Sequence, residues 1–326
     1  MSTLTNDTLA SDLISPFQEI LNSKSSDAST DPVAPAASAS PQALPRVRAI
    51  DYLRSSPFFL VHLAALICVF LVPFKWQYVA FAVAMFYARM FAITGGYHRY
   101  FSHRSYKTSR VMQFLIALLG TTSAQKGVLW WAANHRLHHK YSDQPADIHS
   151  PLQRGFWWSH AGWIISNAHE ETRWDQIPDL AKYPELRWLN KWHVLPPIAL
   201  GVGIYLLCGF PAFVWGFLIS TVALWHCTFF INSMAHVWGT RRYQSTDTSR
   251  NNFLLSILTM GEGWHNNHHT YMSSTRQGFF WYEIDLTYYI IKGMSLVGLT
   301  SNLRQPPLAL LDAKRIKPKK QKRAAA

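Results

Sequence analysis

Four long apolar segments stand out along the 326-residue chain. They lie at residues 57–74, 77–97, about 194–210 and 211–231. The first has no charged residue, and Arg89 is the single charge in the second. Each is close to the length of about 20 residues that a helix needs to cross the hydrocarbon core of a bilayer. Four buried helices of a soluble protein are the alternative, but the pattern favours an all-α membrane protein with four transmembrane helices.

The apolar segments form two pairs, and the polar residues around them indicate how the chain crosses the membrane. Lys75 separates the first pair and the turn-forming Gly-Phe-Pro sequence at 209–211 separates the second, which predicts two tight hairpins. Of the 31 Lys and Arg residues, 4 precede the first segment, 12 lie between residues 98 and 193, and 13 follow residue 231. The preference of Lys and Arg for cytoplasmic loops therefore places both termini and the long middle segment in the cytoplasm.

The two ends of the chain differ in composition from the part between them. Residues 1–45 are rich in Ser, Ala, Asp and Pro, which predicts a disordered tail. Residues 311–326 form a basic tail that can lie on lipid headgroups, and residues 46–310 are expected to form one membrane domain. The net charge of +13 suits contact with anionic membrane lipids. It does not indicate nucleic acid as a partner, because no nucleic-acid-binding motif accompanies it.

Histidines occur twice in the same spacing, His-x-x-His-His. The copies are NHRLHHKY, with His135, His138 and His139, and GEGWHNNHHTY, with His265, His268 and His269. Residues at i, i+3 and i+4 project from one face of a helix, so each triplet can converge on one point. Imidazoles gathered in this way indicate a metal site.

Two further segments supply candidate ligands. In GGYHRYFSHRSY, His98 and His103 are five residues apart, which is about 140° around an ideal helix. We therefore expect a break between them, with His98 at the end of a helix and His103 beyond it. In FFINSMAHVWG, Asn232 and His236 are four residues apart on one helix face, just after the fourth apolar segment.

The predicted topology brings the three histidine clusters to the same side of the membrane. Their eight imidazoles exceed the four ligands of one tetrahedral zinc, and imidazole also binds iron, copper and nickel, so two metals are expected. The remaining histidines are expected to be hydrogen-bonding or interfacial residues; they are His62, His149, His160, His169, His193 and His226.

The motifs HRYFSH, HRLHH and HNNHH on paired membrane hairpins resemble those of the integral-membrane fatty acid desaturases, in particular the stearoyl-CoA (delta-9) desaturase branch. The likeness covers roughly residues 50–310 and extends to HHKYSDQPADIHS, RGFWWSHAGW and NSMAHVWG. It implies a cytoplasmic helical cap with a diiron site, in a bacterial inner membrane or the endoplasmic reticulum. It also implies that Asn232 binds one iron through water and that the nine histidine ligands are His98, His103, His135, His138, His139, His236, His265, His268 and His269.

The resemblance implies O2-dependent removal of two hydrogens from a saturated fatty acyl chain, which leaves a cis double bond, most simply at delta-9. It also implies a kinked acyl tunnel whose bend is lined by Gln125, Trp131 and Thr228. A row of identical CH2 groups offers no polar handle. The position of the double bond must therefore follow from the distance between the headgroup and the bend.

A stripe on the second apolar segment bears on the length of this tunnel. Phe86, Met90 and Thr94 step back from His98 at four-residue intervals, on one helix face. Core packing is the ordinary role of such a stripe. The alternative hypothesis is that Met90 or Phe86 closes the tunnel and sets the preferred chain length.

The sequence leaves the acyl carrier and the electron donor open. Ala133, Asn134, Asn167 and Ala168 stand where acyl-CoA enzymes of the family have charged residues. This departure argues against CoA among the three candidate carriers and favours the other two, a lipid and acyl-carrier protein. We expect no heme-binding domain after the third histidine motif. We expect a separate cytochrome b5-like or ferredoxin-like donor, and the basic cytoplasmic surface suits an acidic carrier.

Three other functions fit part of the pattern. A related membrane diiron hydroxylase or ketolase acting on lipid would use the same ligand set. A metal transport protein would carry its ligands inside the spans, whereas eight of these histidines lie at or beyond their cytoplasmic ends. A zinc peptidase would need the glutamate of His-Glu-x-x-His, which both copies of the motif lack.

Overall fold

The computed structural model describes residues 51–317, which fold mostly as helices. The predicted disordered tail at 1–45 lies outside these residues, as does the end of the basic tail. The main apolar core packs around the segments that carry the histidine motifs; its members include Tyr97, Phe101, Leu129, Ala132 and Phe229.

The first two apolar segments form helices of unequal length. Their bounds are Ser56–Cys68 (α1), continued by a 3-10 turn at Val69–Leu71, and Trp76–Phe91 (α2), continued by a π-helical segment at Ala92–Ser102. The 3-10 turn ends because Val72 precedes a proline and adopts the extended backbone that such a residue prefers. The run Trp76–Ser102 is long and apolar enough to cross a membrane, whereas Ser56–Leu71 is apolar but shorter.

The middle of the chain is a series of shorter helices. Its elements are β1 (Lys107–Thr108), α3 (Arg110–Thr121), α4 (Val128–Tyr141), α5 (Pro151–Arg154), a π-helical turn (Trp158–Gly162), α6 (Trp163–Ile165), 3-10 turns (Asn167–His169 and Trp174–Gln176), α7 (Pro178–Ala181) and α8 (Pro184–Lys191). Helix α4 begins at Gly127, where the Asn190 side chain accepts a hydrogen bond from the Trp130 amide at 2.8 Å. Asn190 lies so close to Gly127 that no Cβ fits there, which fixes the start of the helix that carries the second histidine motif.

The third and fourth apolar segments form one helical run that folds back on itself. Its parts are α9 (Leu195–Phe213), a π-helical segment (Val214–Ile219), α10 (Ser220–Ser233) and a 3-10 turn (Met234–His236). Gly209 interrupts it with a non-helical backbone, φ 81° and ψ 174°. A Cβ on Gly201 would lie 3.1 Å from the Phe217 ring, although 16 residues of straight helix span about 24 Å. The chain therefore reverses near Gly209, where the sequence predicts a turn.

The last elements are α11 (Phe253–Leu258), α12 (His265–Thr270), α13 (Leu286–Leu296), β2 (Thr300–Ser301) and α14 (Leu308–Lys314). Strand β2 pairs antiparallel with β1, with Lys107 opposite Ser301 and Thr108 opposite Thr300. The predicted domain boundary after residue 310 falls inside α14. The Gln244 amide donates to the carbonyl of Lys314 at 2.8 Å, so the start of the predicted basic tail packs on the domain.

Candidate metal centre

The π-helical segment at Ala92–Ser102 carries the first pair of histidines. The His103 amide donates to the carbonyl of His98 at 3.2 Å, an i→i+5 hydrogen bond of the kind that defines a π-helix. This wider turn places the two rings on the same side, with centroids 4.8 Å apart. The expected break between His98 and His103 is therefore wrong, because widening of the helix aligns them without interrupting it, although His103 does lie just beyond the segment, which ends at Ser102.

Helix α4 carries the second motif and divides it between two places. His135 and His139 face His103, with ring centroids 4.9 and 4.5 Å from it. His138 faces His236 and His269 instead, at 5.5 and 5.4 Å. The expectation that the triplet converges on one point is therefore wrong for His138.

Helix α12 divides the third motif in the complementary way. His268 points toward His98, with their Nε2 atoms 3.0 Å apart. His265 points toward His236, with their Nε2 atoms 3.1 Å apart, and His269 lies beside His265. The second and third motifs thus each contribute to both places, whereas His98 and His103 of the first motif lie in the same one.

All nine predicted histidines gather into two adjacent groups, in each of which one possible ligand atom per residue lies within 4.8 Å of the others. Group A consists of His98, His103, His135, His139 and His268. Group B consists of His138, His236, His265 and His269.

The spacing of the ring nitrogens fits ligands of a metal better than partners in hydrogen bonds. In group A the Nε2 atoms of His98 and His139 each lie 3.0 Å from that of His268. The Nδ1 atom of His98 faces the carboxylate of Glu262, which can only accept, so Nε2 of His98 is left as a lone pair directed into the group. Two imidazole nitrogens bound at about 2.1 Å and at right angles to one another stand about 3.0 Å apart. The residues present therefore fit bound metal.

In four of the nine histidines a carboxylate contacts the outer ring nitrogen, Nδ1, which points away from the group. These pairs are His98 with Glu262, His138 with Asp147, His236 with Asp143, and His269 with Asp247. Such a pair fixes the tautomer of the ring and makes the inner nitrogen a stronger donor to metal. Three of the four group B histidines have a carboxylate, against one of the five in group A.

Burial and neighbouring charges prepare the rings for binding. Burial, reinforced by neighbouring imidazoles, holds the pKa of His135, His139 and His268 well below the usual value. These rings are neutral at pH 7, the form that binds metal. Burial alone would also lower the pKa of His138, but Asp147 outweighs it and raises the pKa. Burial would raise the pKa of Asp147, yet His138 holds it below its usual value, so Asp147 is an ionised carboxylate where it faces the His138 ring.

A buried ion network supports group A from behind. Arg99, which is fully buried, donates to Glu262 at 3.0 Å and to Asp285 at 2.9 Å. Gln277 donates to the other Glu262 oxygen at 3.0 Å. Arg99 and Gln277 thus fix Glu262 where it meets His98, which limits the movement of that ring.

Two cavities meet at the metal centre. The larger, of about 830 Å³, has a size typical of ligand sites. The smaller, of about 40 Å³, continues past the histidines. Trp131, Thr228, Asn232 and His135 line both, so the cavities are adjacent beside group A. Gln125 lines the larger cavity and donates to Thr228 at 3.1 Å, which brings the three predicted bend residues together.

Of the three residues on the stripe that was predicted to bear on chain length, two line a cavity and one does not. Met90 and Thr94 line the smaller cavity, and Met90 is 1% exposed. Phe86 lines neither cavity and packs against the apolar core and the ring of Tyr87. Asn232 lines both cavities, and the smaller cavity is also lined by histidines of both groups.

The remaining histidines stay outside groups A and B. His226 links His62 and His160 through its two ring nitrogens, at 3.0 and 2.9 Å. His149 lies against His138 and Asp147 and could join them in a smaller cluster. Sequence reasoning missed the carboxylates, although Asp143 and Asp147 follow the second motif within eight residues of His139.

Comparison with known proteins identifies the family. The model of the fatty acid desaturase family matches residues 52–296, most of the described chain. An sn-1 stearoyl-lipid 9-desaturase of Synechocystis is 36% identical over 77% of this chain and 79% of that protein. A palmitoyl-monogalactosyldiacylglycerol delta-7 desaturase of Arabidopsis thaliana is 35% identical over 79% of this chain and 70% of that protein.

A third relative is named for a different substrate, an acyl-CoA. An icosanoyl-CoA 5-desaturase of Limnanthes douglasii is 36% identical over 72% of this chain and 67% of that protein. The apolar helices and the histidine groups agree with what such enzymes need, a membrane location and a metal site suited to iron. The chain therefore belongs to the fatty acid desaturase family and is a membrane-associated oxidoreductase that desaturates acyl chains.

Proposed function

We propose that the protein uses two irons and O2 to introduce a cis double bond, at delta-9, into a saturated acyl chain. The observation that carries this proposal is the gathering of nine imidazoles into groups A and B at the junction of two cavities. Each group would hold one iron, and Asn232 would reach one of them through water. When bound, the irons together with O2 and two electrons supply the oxidising power that removes two hydrogens, and water is the other product.

The residues around the cavities position the acyl chain. Trp131 and Thr228 stand where the two cavities meet, and the Gln125–Thr228 hydrogen bond stabilises the wall at this place. In this proposal the acyl chain runs from the larger cavity past His135 into the smaller one, and it bends beside that residue. The protein would hold one pair of methylenes at the bend. Proximity and orientation then decide which C–H bonds react.

The proposed topology has four spans in two hairpins, with both termini and the metal centre on the cytoplasmic side. Two observations support it. The chain reverses near Gly209. The whole helical run that contains Gly209, Leu195–His236, is 42 residues long, which is about twice what one crossing needs. The Lys and Arg distribution supports the orientation.

A membrane lipid is the acyl carrier that we favour. Asn134 is buried and donates to the carbonyl of Trp130, so it offers no surface charge to a CoA phosphate. Two of the relatives described above are named for acyl groups on lipids and one for an acyl-CoA. A separate cytochrome b5-like or ferredoxin-like protein would supply the electrons.

Expression in a desaturase-deficient host tests this function. We expect new cis double bonds at delta-9 in the host lipids, located by mass spectrometry. The variant His268→Ala should abolish the product, and His169→Ala, which changes a buried histidine outside both groups, should keep it. Hydroxylated or keto products would instead identify the related hydroxylase or ketolase.

A further inference from the structure

The mouth of the larger cavity is polar on one side and apolar on the other. Its polar rim includes Asp51, Arg54, Glu170 and Lys191, and its apolar rim includes Pro57 and Val61 of α1 and Ile198 and Val202 of α9. Ile198 and Val202 line the cavity although they are 59% and 51% exposed. Residues that are both exposed and cavity-lining mark an opening, so the cavity opens sideways between α1 and α9 as well as at its polar end.

This opening lies near the start of both helices. Val61 is five residues after the first residue of α1 and Val202 seven after that of α9, which correspond to about 8 and 10 Å along the helices. Both helices pack on the segment Val214–Ile219. In the proposed topology both helix starts face the cytoplasm. The opening then lies where headgroups give way to hydrocarbon, the depth at which the ester groups of a glycerolipid reside.

We propose that this opening is a lateral portal, through which the acyl chain of a membrane-resident glycerolipid enters from the bilayer. The proposal rests on the proposed function and names its acyl carrier. The ester and headgroup stay at the polar rim, and the chain passes the apolar rim and runs toward Thr228 and His135. The apolar lining lets the chain leave the hydrocarbon without meeting an unpaired polar group.

The charges at the rim fit a neutral or zwitterionic headgroup better than CoA. Arg54 is paired with Asp51 and Glu170, so its charge is already offset. Lys126 and Lys191 are the other Lys or Arg residues among the described residues that line this cavity. CoA carries several phosphate charges, and sites for such groups are built from clusters of free Arg and Lys. Two lysines and a neutralised arginine do not form such a cluster.

A matched pair of variants on α9 tests the portal. Val202→Trp places a large ring at the apolar rim. Leu206→Trp adds the same ring one turn further along, at a side chain that is 73% exposed and does not line the cavity. Lipid that remains bound to the purified full chain is extracted and counted by mass spectrometry. Double bonds are counted after the protein is placed in dipalmitoyl phosphatidylcholine vesicles with a reduced electron donor.

We expect V202W to lower both bound glycerolipid and product about tenfold and L206W to leave both within about twofold. Equal values for V202W and the unchanged protein would overturn the portal. The portal would also be overturned if the purified protein binds no glycerolipid but desaturates stearoyl-CoA from solution. If V202W does not accumulate, Ile198→Phe blocks the same rim. If the unchanged protein forms no double bond with any carrier, the proposed function fails, and the bound-lipid comparison still decides the portal.

Discussion

At the scale of single residues, the carboxylates distinguish the two metal groups. Group B has four histidines, three of them backed by Asp143, Asp147 or Asp247, whereas group A has five histidines and one backing carboxylate. A carboxylate on the outer nitrogen strengthens the imidazole as a donor. Group B thus offers fewer but stronger ligands, and this difference allows the two sites to be tested separately.

The variant Asp147→Asn should weaken iron binding at group B about 10–100-fold, because the uncharged amide no longer polarises His138. Release of iron to a chelator, followed by absorption, measures the effect. Glu185→Gln is the control, since Glu185 pairs with the exposed Arg110 and not with a histidine of either group. Loss of iron from group A alone, or no change in release, would contradict the assignment of Asp147.

The variant Met90→Ala should shift the product toward longer acyl chains, because Met90 lines the smaller cavity beyond the bend. Phe86→Ala is the matched control one helical turn away and should leave the chain-length profile unchanged, since Phe86 lines neither cavity. Fatty acid analysis of the expressing host provides the measurement. An unchanged profile for Met90→Ala would show that this residue does not limit the chain.

At the scale of elements, helix geometry explains how the second and third motifs each serve both groups. On an ideal helix, residue i+4 lies about 40° to one side of residue i, and residue i+3 lies about 60° to the other. In α4 and in α12 the first and third histidines therefore face one group and the middle histidine the other. The sequence predicted which residues are near one another, but not this division, because the periodicity argument treats one face as a single direction.

Helical periodicity could not predict the π-helical segment, for a related reason. Ideal α-helical spacing sends His98 and His103 in different directions, and no local residue pattern announces a wider turn. The one available signal is the five-residue spacing itself, which matches the i→i+5 hydrogen bonds of a π-helix. The carboxylates Asp247 and Glu262 were equally hidden, because their partnership with histidines depends on contacts between distant segments.

Single alanine variants in the two motifs should remove different metals. His139→Ala removes a ligand of group A, and His269→Ala removes one of group B, although the two rings lie 4.4 Å apart. We expect each variant to lose iron mainly from one site and the double variant to lose it from both. Iron analysis with Mössbauer spectroscopy distinguishes the sites. Complete loss of both irons in each single variant would argue against two separable groups.

At the scale of the whole molecule, the apolar segments of the sequence correspond to helices, and the predicted turn at Gly209 is observed as a reversal. Helix α3 was not predicted, since its apolar stretch is short and lies inside the basic middle segment. Its Val111, Leu115 and Leu119 are all exposed, so the helix has an apolar face that the rest of the described chain does not cover. Segment length and composition reveal candidate spans, but not a short helix that can lie along a bilayer.

Labelling of single cysteines tests the proposed topology. In a background in which Cys68, Cys208 and Cys227 are replaced, a cysteine at Lys75 should react with a membrane-impermeant maleimide added outside intact cells. A cysteine at the exposed Trp281 should react only after the membrane is opened. The reason is that the proposed topology places Lys75 outside the membrane and Trp281 on the cytoplasmic side. Labelling of both from outside would overturn the proposed arrangement.

The number of irons in active protein tests the central claim most directly, because two groups of imidazoles are expected to hold one iron each. Purified, active protein should contain two irons per chain by elemental analysis, and removal and restoration of iron should abolish and restore double-bond formation. Active protein that contains no iron, or that keeps full activity with a single iron, would contradict the account.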